Sequence, residues 1–412
     1  MSTAAVASLS DVERRAFVAE AAAWLEANAE RRPKGAEFAW GRGDDGVRLM
    51  GGGEQRDEDA ELAAARAWRA RVFDAGFGWL GGPVAYGGGG RHPELDHVYR
   101  SLEAEFDVPD QGAWNVAWEM VAPAVLVHGS EDVKQRYLRP IMRGELLCSQ
   151  LLSEPEGGSD LAGLRTRAVR DGDEWVVNGQ KVWSSYAHKA QLGQLMARTD
   201  PHVPKHQGIT MFLLPLDTPG VEVRPLKQMN GGAEFNEVFL TDVRVPDANR
   251  VGMAGGGWRA VLTTLMSERA SVGSSKASTI DPLKVLFEMA RHFGRDTDPV
   301  MRQKLSEAYT YRKLIEWLTM RAEAAVSAGR ERGAEGSIVK LIGSRQNGRL
   351  ANLAGELMGP MMTADSGEWG TYTWSRFLCS APGLRIAGGT DEIQRNIIGE
   401  RVLGLPKEPP VG

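Results

Sequence analysis

The sequence predicts an α+β protein of several domains, with helices at both ends of the chain and an antiparallel β-domain between them. Three observations predict this. The chain has 412 residues, too many for one compact core. Helical hydrophobic periodicity gives way to strand-like runs after about residue 145 and returns at Trp258. We therefore expect an N-terminal helical domain over 1–144, a β-domain over 145–255 and a helical bundle domain over 256–412.

Local signals predict helices in the first domain. Ser10 opens the sequence S-D-V-E, which is a capping-box signature because Glu13 stands at the third helical position. Further helical patterns cover about 60–75, 95–106, 113–128 and 131–142. The segment 76–90 contains too many glycines for a helix and is expected to be a loop.

Turn dipeptides predict hairpins in the middle domain. Asp171-Gly172 and Asn178-Gly179 both stand between strand-like runs, and these residue types tolerate the positive φ that two-residue turns need. Further strand-like runs are 208–216, 221–225, 237–240 and 242–245. No glycine cluster stands between a strand and a helix as a Rossmann dinucleotide site requires.

The third domain is expected to be an antiparallel helix bundle. Long helical patterns cover about 258–292, 299–328, 333–358 and 390–402, and their lengths suit such packing.

Composition and charge exclude several classes of function. The formal net charge of −5 provides no general attraction to nucleic acid or to an anionic membrane. Cys148 and Cys379 are the only cysteines, too few for a disulfide framework or a cysteine-based zinc site, and the histidines lack metal-ligand spacing. No secretion signal or apolar run of membrane-spanning length is present. We expect a soluble, cytoplasmic protein that holds no metal.

Three motifs in a fixed order carry the functional prediction. They are L-S-E-P-E-G-G-S-D-L-A-G at 152–163, E-W-V-V-N-G-Q-K-V-W-S-S at 174–185 and G-G-T-D-E-I-Q-R-N-I-I-G-E-R-V-L-G-L-P at 388–406. Taken alone, the first could be an ordinary turn. However, its glycines, Ser159 and Asp160 could also expose backbone N–H groups that cradle a pyrophosphate. In this order, the three motifs resemble those of the acyl-CoA dehydrogenase family.

The resemblance implies a fold and a cofactor. It implies an N-terminal helical domain, a middle β-domain and a C-terminal four-helix bundle, with FAD held between the last two. The family positions that contact the flavin or its pyrophosphate correspond here to Ser153, Gly158, Ser159, Trp183, Ser185, Thr390 and Glu392. For Trp183, an ordinary core aromatic at a strand end is the alternative interpretation.

Two family motifs for the adenine half of FAD are altered in this chain. An R-x-x-F-G motif is replaced by A-R-H-F-G, so that its arginine is displaced to Arg291 or lost. A Q-x-x-G-G motif becomes E-L-M-G-P, which places Glu356 and Gly359 at two of its positions. A changed subunit interface would also account for these departures.

The catalytic base is expected at an unusual place. Many family members carry a glutamate directly before the Gly-Thr of the closing motif, but here that position is Gly388. Another branch, which includes isovaleryl- and long-chain acyl-CoA dehydrogenases, carries its glutamate on an earlier helix, directly before an arginine. This chain has Glu268-Arg269 at the matching place.

Helix geometry supports Glu268 independently of the resemblance. At about 100° per residue, Val261, Leu265, Glu268 and Val272 share one face of a helix. A carboxylate on an apolar stripe is costly unless it is paired or used, and burial would raise its pKa toward the range of a general base. A buried structural pair of Glu268 with Arg269 is the alternative interpretation.

The resemblance implies α,β-dehydrogenation of an acyl-CoA thioester to the trans-2-enoyl-CoA, a step of fatty acid metabolism. Glu268 would abstract the α-proton and flavin N5 would take the β-hydride. The Gly388 N–H and a ribityl hydroxyl of FAD would bind the thioester carbonyl. Arg269 and Ala387 would contribute to the substrate site, and the small residues 387 and 388 hint at branched or bulky acyl groups.

The expected partners are an electron-transfer flavoprotein as acceptor and further copies of the chain in a homodimer or homotetramer. Two alternatives remain open. One is a non-catalytic partner subunit of a heteromeric acyl-CoA dehydrogenase. The other is a flavin oxidase or monooxygenase on the same fold.

Overall fold

The computed structural model describes residues 9–32, 47, 57–274, 281–327, 333–363 and 371–407. The chain divides into two compact units. The first comprises Met1–Pro33, Gly53–Lys227 and Ala233–Glu268, and the second comprises Lys34–Gly52, Gln228–Gly232 and Arg269–Gly412. The predicted bounds of three domains, 1–144, 145–255 and 256–412, remain a prediction.

The N-terminal part of the first unit is helical, as the sequence predicts. The Ser10 hydroxyl accepts from the Glu13 N–H while the Glu13 carboxylate accepts from the Ser10 N–H, so the predicted capping box is confirmed. A short strand pair, Glu30–Arg31 (β1) with Phe106–Asp107 (β2), lies beside the helices. The helices are α1 (Asp11–Asn28), α2 (Glu58–Asp74), α3 (Glu94–Glu103), α4 (Ala122–His128) and α5 (Glu131–Arg143).

The remaining strands form one sheet in the same unit. The strands are β3 (Cys148–Leu151), β4 (Arg167–Asp171), β5 (Glu174–Ser185), β6 (Leu192–Arg198), β7 (Ile209–Pro215), β8 (Val221–Leu226), β9 (Phe235–Pro246) and β10 (Arg250–Val251). In spatial order the main path of the sheet runs β10–β7–β6–β4–β5–β9–β8, and β3 pairs in parallel with β6. Most neighbouring strands are antiparallel, as predicted.

One predicted hairpin is confirmed and the other is wrong. Asp171-Gly172 connects β4 to β5. Asn178-Gly179 makes no turn, because β9 pairs with β5 on both sides of it and leaves only a register shift. The Asn178 amide exchanges hydrogen bonds with Asp242 at 2.9 and 3.0 Å. At Gly179 a Cβ would lie 2.5 Å from the Thr166 hydroxyl, so packing against Thr166 requires glycine here.

A shared core joins the N-terminal helices to the sheet. Trp114 and Val121 from the helical part and Met196 and Met211 from the sheet are buried in one apolar cluster, together with Val261. Val261 lies on α6 (Gly257–Ser274). The beginning of this helix is therefore held by the core of the first unit.

The second unit is built from helices. The predicted segment 258–292 contains α6 and a separate helix, α7 (Pro282–His292), which Asp281 caps by accepting from the Leu283 N–H. The other helices are α8 (Pro299–Ser327), α9 (Glu335–Met358), α10 (Thr371–Leu384) and α11 (Asp391–Ile397). The predicted helical segments did not include α10, which contains Pro382.

The order helices, sheet, helices confirms the predicted fold class. Among the described residues, no helix is long and apolar enough to cross a membrane. Within the same residues, no group of His, Cys, Asp or Glu side chains is arranged to hold a metal ion.

Candidate active site

The first motif forms an exposed loop after β3. Ser153 is half-buried, whereas Gly158, Ser159 and Asp160 are exposed. No described residue accepts a hydrogen bond from the backbone N–H of Gly158 or Ser159. The loop thus presents free N–H donors, as an anion-binding loop must.

A carboxylate closes the neck of this loop. The Glu154 carboxylate accepts from the backbone N–H of Arg165 at 2.6 Å and from that of Thr166 at 2.8 Å. Lys181 of β5 donates to the same carboxylate at 2.8 Å and to the Leu152 carbonyl at 3.1 Å. Both ends of the loop are therefore held at one point on the sheet.

The Glu154–Lys181 pair is buried. The Lys181 side chain is 0% exposed and that of Glu154 is 8% exposed. Burial lowers the pKa of Lys181 to about 8, although the Glu154 carboxylate opposes this shift. Burial alone would raise the pKa of Glu154, but Lys181 and the N–H donors outweigh it and lower that pKa. The carboxylate is consequently ionised at neutral pH.

Trp183 lies in an unusual backbone conformation near the end of β5. Its φ is 61°, in the left-handed region that bulky residues rarely adopt, and the pairing of β5 with β9 shifts register between Lys181 and Ser184. The residue is 59% exposed, and its ring meets that of Phe235 edge-on at a centroid distance of 6.2 Å. Strained, exposed aromatic residues are characteristic of binding sites, whereas a core tryptophan would be buried.

Ser185 follows on the same strand and is half-buried opposite Phe235. Ser153 is close in the fold, because its carbonyl accepts from the Val182 N–H at 2.9 Å. The structure therefore places Ser153, Trp183 and Ser185 close together at the end of β5.

Helix α6 carries the predicted base. Val261 is fully buried and Leu265 is half-buried, as expected for the predicted apolar face. The helix continues through position 268. The side chains of Glu268 and Arg269 lie outside the described residues.

A buried polar contact one turn earlier was not predicted. Thr264 accepts from the Gln194 amide at 2.9 Å and donates to the Met120 carbonyl at 3.4 Å. Both side chains are 0% exposed. The contact anchors α6 to β6 and to the Val116–Val121 helical turn. Sequence reasoning missed it because β6 itself was not recognised.

In the second unit, side chains hold the closing motif. Gly388 and Gly389 have φ values of 67° and 88°, which favour glycine. The Gln394 amide donates to their carbonyl oxygens at 2.8 and 3.2 Å. Lys340, which is buried, donates to the Gly389 carbonyl at 2.6 Å.

The residues after these glycines begin α11. Thr390 caps the helix by accepting from the Ile393 N–H at 3.2 Å. Asp391 is buried and accepts from Arg385 at 2.8 Å and from Ser344 at 3.0 Å. Burial opposes its ionisation, but these two donors lower its pKa. Glu392 is exposed and pairs with Arg395.

A cavity of about 410 Å³ opens beside this motif in the second unit. Two of the predicted cofactor residues, Thr390 and Glu392, line it. The other lining residues come from α9, α10 and the segment that follows: Gly348, Ala351, Asn352, Leu378, Ala381, Pro382, Arg385, Ile386 and Asp391.

The remaining predicted cofactor residues are engaged in contacts of their own. Arg291 is exposed and pairs with Glu288 at 2.6 Å. Glu356 accepts from Lys304 at 2.6 Å. Gly359 ends α9 with a φ of 57°. Ala387 is half-buried beside Gly388.

Family models match nearly all of the chain. Residues 52–145 match the N-terminal domain of acyl-CoA dehydrogenase, residues 149–243 the middle domain and residues 255–403 the C-terminal domain.

Individual proteins show the same similarity. The acyl-CoA dehydrogenase IpdE1 of Mycobacterium tuberculosis is 37% identical over 362 residues, which cover 87% of this chain and 92% of that protein. The crystal structure of the ChsE4-ChsE5 complex from Mycobacterium tuberculosis is 28% identical with a TM-score of 0.73, covering 98% of this chain and 100% of that one. An acyl-CoA dehydrogenase structure from Geobacillus kaustophilus is 25% identical with a TM-score of 0.71, covering 95% and 97%.

Proposed function

The chain belongs to the acyl-CoA dehydrogenase family, and from that premise we propose that it oxidises an acyl-CoA thioester to the trans-2-enoyl-CoA with Glu268 as base. Members of the family are FAD-dependent oxidoreductases that act on acyl-CoA, so the reaction class follows from membership. The identity of the base, the cofactor contacts and the acyl group are the proposed parts.

The exposed loop and Trp183 support FAD binding. Ser159 and Gly158 have free N–H groups that suit a pyrophosphate, while Ser153, Trp183 and Ser185 form one cluster that suits an isoalloxazine ring. Thr390 and Glu392 line a cavity of the second unit, and Arg291, Glu356 and Gly359 would complete the cofactor contacts. When bound, FAD supplies a hydride acceptor, its N5 atom, for the β-hydrogen of the substrate.

The base assignment depends on one observation. Position 388, where many family members carry the carboxylate, is a glycine with a φ of 67°, whereas position 268 lies within α6, one helical turn after the buried Thr264. Glu268 would take the α-proton, and the electron pair of that C–H bond would form the new double bond as hydride leaves the β-carbon.

The closing motif would stabilise the charge that develops on the thioester oxygen. Gln394 and Lys340 hold the carbonyls of Gly388 and Gly389 and so fix the two peptide planes that follow the Gly388 Cα. The Gly388 N–H lies in the peptide plane just before that Cα, next to this fixed turn. There it would serve as the donor to the thioester oxygen, and a preorganised donor is worth more than a mobile one in a water-poor site.

Anaerobic titration with acyl-CoA esters tests the base. Bleaching of the flavin absorbance reports flavin reduction. Glu268→Gln should slow this reduction by about 10³-fold or more, because position 388 is a glycine and supplies no carboxylate that could replace Glu268 as base. The exposed Glu335 of α9 provides a matched control, and Glu335→Gln should reduce at the wild-type rate. If Glu268→Gln reduces as fast as wild type, the base assignment is wrong.

The same titration addresses the acyl group. The small side chains of Ala387 and Gly388 favour branched or bulky acyl chains beside the closing motif, and Arg269 would contribute to the substrate site. A preference for short straight-chain esters over branched ones would contradict this part of the proposal.

A second candidate function is a partner subunit without its own activity. The side chains of Arg291 and Glu356 already form ion pairs with Glu288 and Lys304. The similar ChsE4-ChsE5 structure is a complex. A purified chain that is colourless and does not bind added FAD would favour this candidate. A yellow chain whose flavin acyl-CoA reduces would contradict this candidate. The active chain would then be a homodimer or homotetramer that passes its electrons to an electron-transfer flavoprotein.

The acceptor can be tested separately. Fast reoxidation of the reduced, product-bound flavin by O₂ would point instead to an oxidase or monooxygenase on this fold.

A further inference from the structure

The neck of the loop at 154–166 is held by a charged pair, although uncharged contacts are the usual means of holding a loop. A carboxylate accepts two backbone N–H groups and one ammonium at the same time here. A neutral amide has only one oxygen, so Gln at position 154 could not keep all three bonds.

Stability alone does not explain a buried ion pair, because burying two charges costs about as much as their attraction returns, and apolar residues of the same volume are often as good. The geometry of the pair points instead to a positional role. Its geometry ties the residues before the glycines to the residues after them.

Further contacts fix the rest of the loop from the outside. Asp160 accepts from Lys205 at 2.8 Å, and the Thr166 carbonyl accepts from the Arg198 N–H at 2.7 Å. Between these supports, the backbone of Gly158 and Ser159 carries the free N–H groups.

We propose that the buried Glu154–Lys181 pair is a positioning device that holds the 154–166 loop in its cofactor-binding conformation before FAD arrives. This inference rests on the proposed function, since the loop's ligand is the FAD proposed there. Neither side chain takes part in the redox chemistry. Both act through the backbone donors of Gly158 and Ser159 and through Ser153.

The double variant Glu154→Gln/Lys181→Met tests the proposal without leaving an unpaired buried charge. In the FAD-free protein, we expect a circular dichroism spectrum like that of wild type. FAD titration followed by fluorescence quenching should show affinity weaker by about 10-fold or more. Trypsin should cut after Arg165, whose side chain is exposed, about 10-fold faster. Lys313→Met, which breaks the surface pair with Glu316, is the matched control and should change neither quantity.

The outcomes separate the two proposals. A folded double variant with wild-type FAD affinity and wild-type cleavage at Arg165 would overturn the positioning role. A wild-type chain that binds no FAD would overturn the proposed function first.

A measurement on wild type covers the case in which the double variant fails to fold. Hydrogen exchange of the FAD-free protein should show slow exchange at the Arg165 and Thr166 amides, because both donate to Glu154. Fast exchange that slows only when FAD is added would show that FAD, and not the pair, closes the neck.

Discussion

The side-chain amide of Gln394 lies 2.8 Å from the carbonyl oxygen of Gly388, the residue that stands where many relatives carry their catalytic glutamate. Gln394 is 0% exposed and reaches this carbonyl from α11, so the first turn of the helix fixes the glycine turn before it. The backbone at Gly388 is therefore fixed by a side chain of the helix that follows it.

Replacing Gln394 with Leu should loosen this turn. Two carbonyl oxygens would lose a buried donor, which costs about 1–3 kcal/mol of unfolding free energy. Urea denaturation would measure the loss. If the Gly388 N–H binds the thioester, the rate of flavin reduction should also fall by about 10-fold. An unchanged rate in a destabilised variant would remove Gly388 from the catalytic machinery.

At position 183, glycine should be a more stable replacement for tryptophan than alanine. In a strand, Gly is normally the less stable replacement, but a φ of 61° costs a residue with a Cβ about 1–2 kcal/mol. Trp183→Gly should therefore be about 1 kcal/mol more stable than Trp183→Ala in urea denaturation of the FAD-free protein. Both should bind FAD more weakly, since both lack the ring. Alanine proving the more stable of the two would argue against strain at this position.

Removing the hydroxyl of Thr264 should lower the free energy of unfolding more than removing that of its neighbour Thr263. Thr264→Val keeps the shape but removes the oxygen that accepts from the buried Gln194 amide and leaves it the weaker Met211 sulfur, at a cost of about 1–3 kcal/mol. Thr263 bonds the partly buried His128 at 2.8 Å, so Thr263→Val should cost less. Because Thr264 precedes Glu268 by one helical turn, its variant should also slow flavin reduction. Equal effects of the two substitutions on that rate would contradict this.

Asp247 should contribute stability that is lost in acid. It accepts from Arg250 at 2.9 Å and from Trp175 at 2.8 Å. The hydrogen bond from Arg250 is the main reason that the pKa of Asp247 falls to about 2 from an ordinary 3.8. Burial acts in the opposite direction, and the hydrogen bond from Trp175 lowers the pKa further. Because the folded pKa is the lower one, the unfolded chain takes up its proton first as the pH falls. The contribution is present above about pH 4 and is lost between about pH 4 and pH 2.

Asp247→Asn checks this at two pH values. At pH 7 the variant should be less stable in urea by at most about 2 kcal/mol, and at pH 3 the difference should be smaller. The exposed Asp217 provides the control, and Asp217→Asn should show no such pH dependence. A difference that is the same at both pH values would mean that the charge of Asp247 contributes nothing.

Signals that act within a few residues were predictable from the sequence. The Ser10–Glu13 capping box and the Asp171-Gly172 turn both depend on neighbours in the chain, and both are confirmed. The turn predicted at Asn178-Gly179 is wrong because β9, which begins more than 50 residues later in the chain, pairs with β5 on both sides of this dipeptide. The runs 237–240 and 242–245 form one strand, β9, because both pair with β5. Asp242, between these two runs, has a φ of 49°.

The family, the order of helical and β parts, and the motif residues that are candidates for FAD and substrate contacts could all be predicted from the sequence. These predictions depend on short motifs and on hydrophobic periodicity, which are local signals. The strain and exposure of Trp183, the burial of Lys181 against Glu154 and the hydrogen bond from Gln394 to Gly388 are visible only in the folded structure. Each of these depends on residues brought together by pairing or packing, so no pattern along the chain records it.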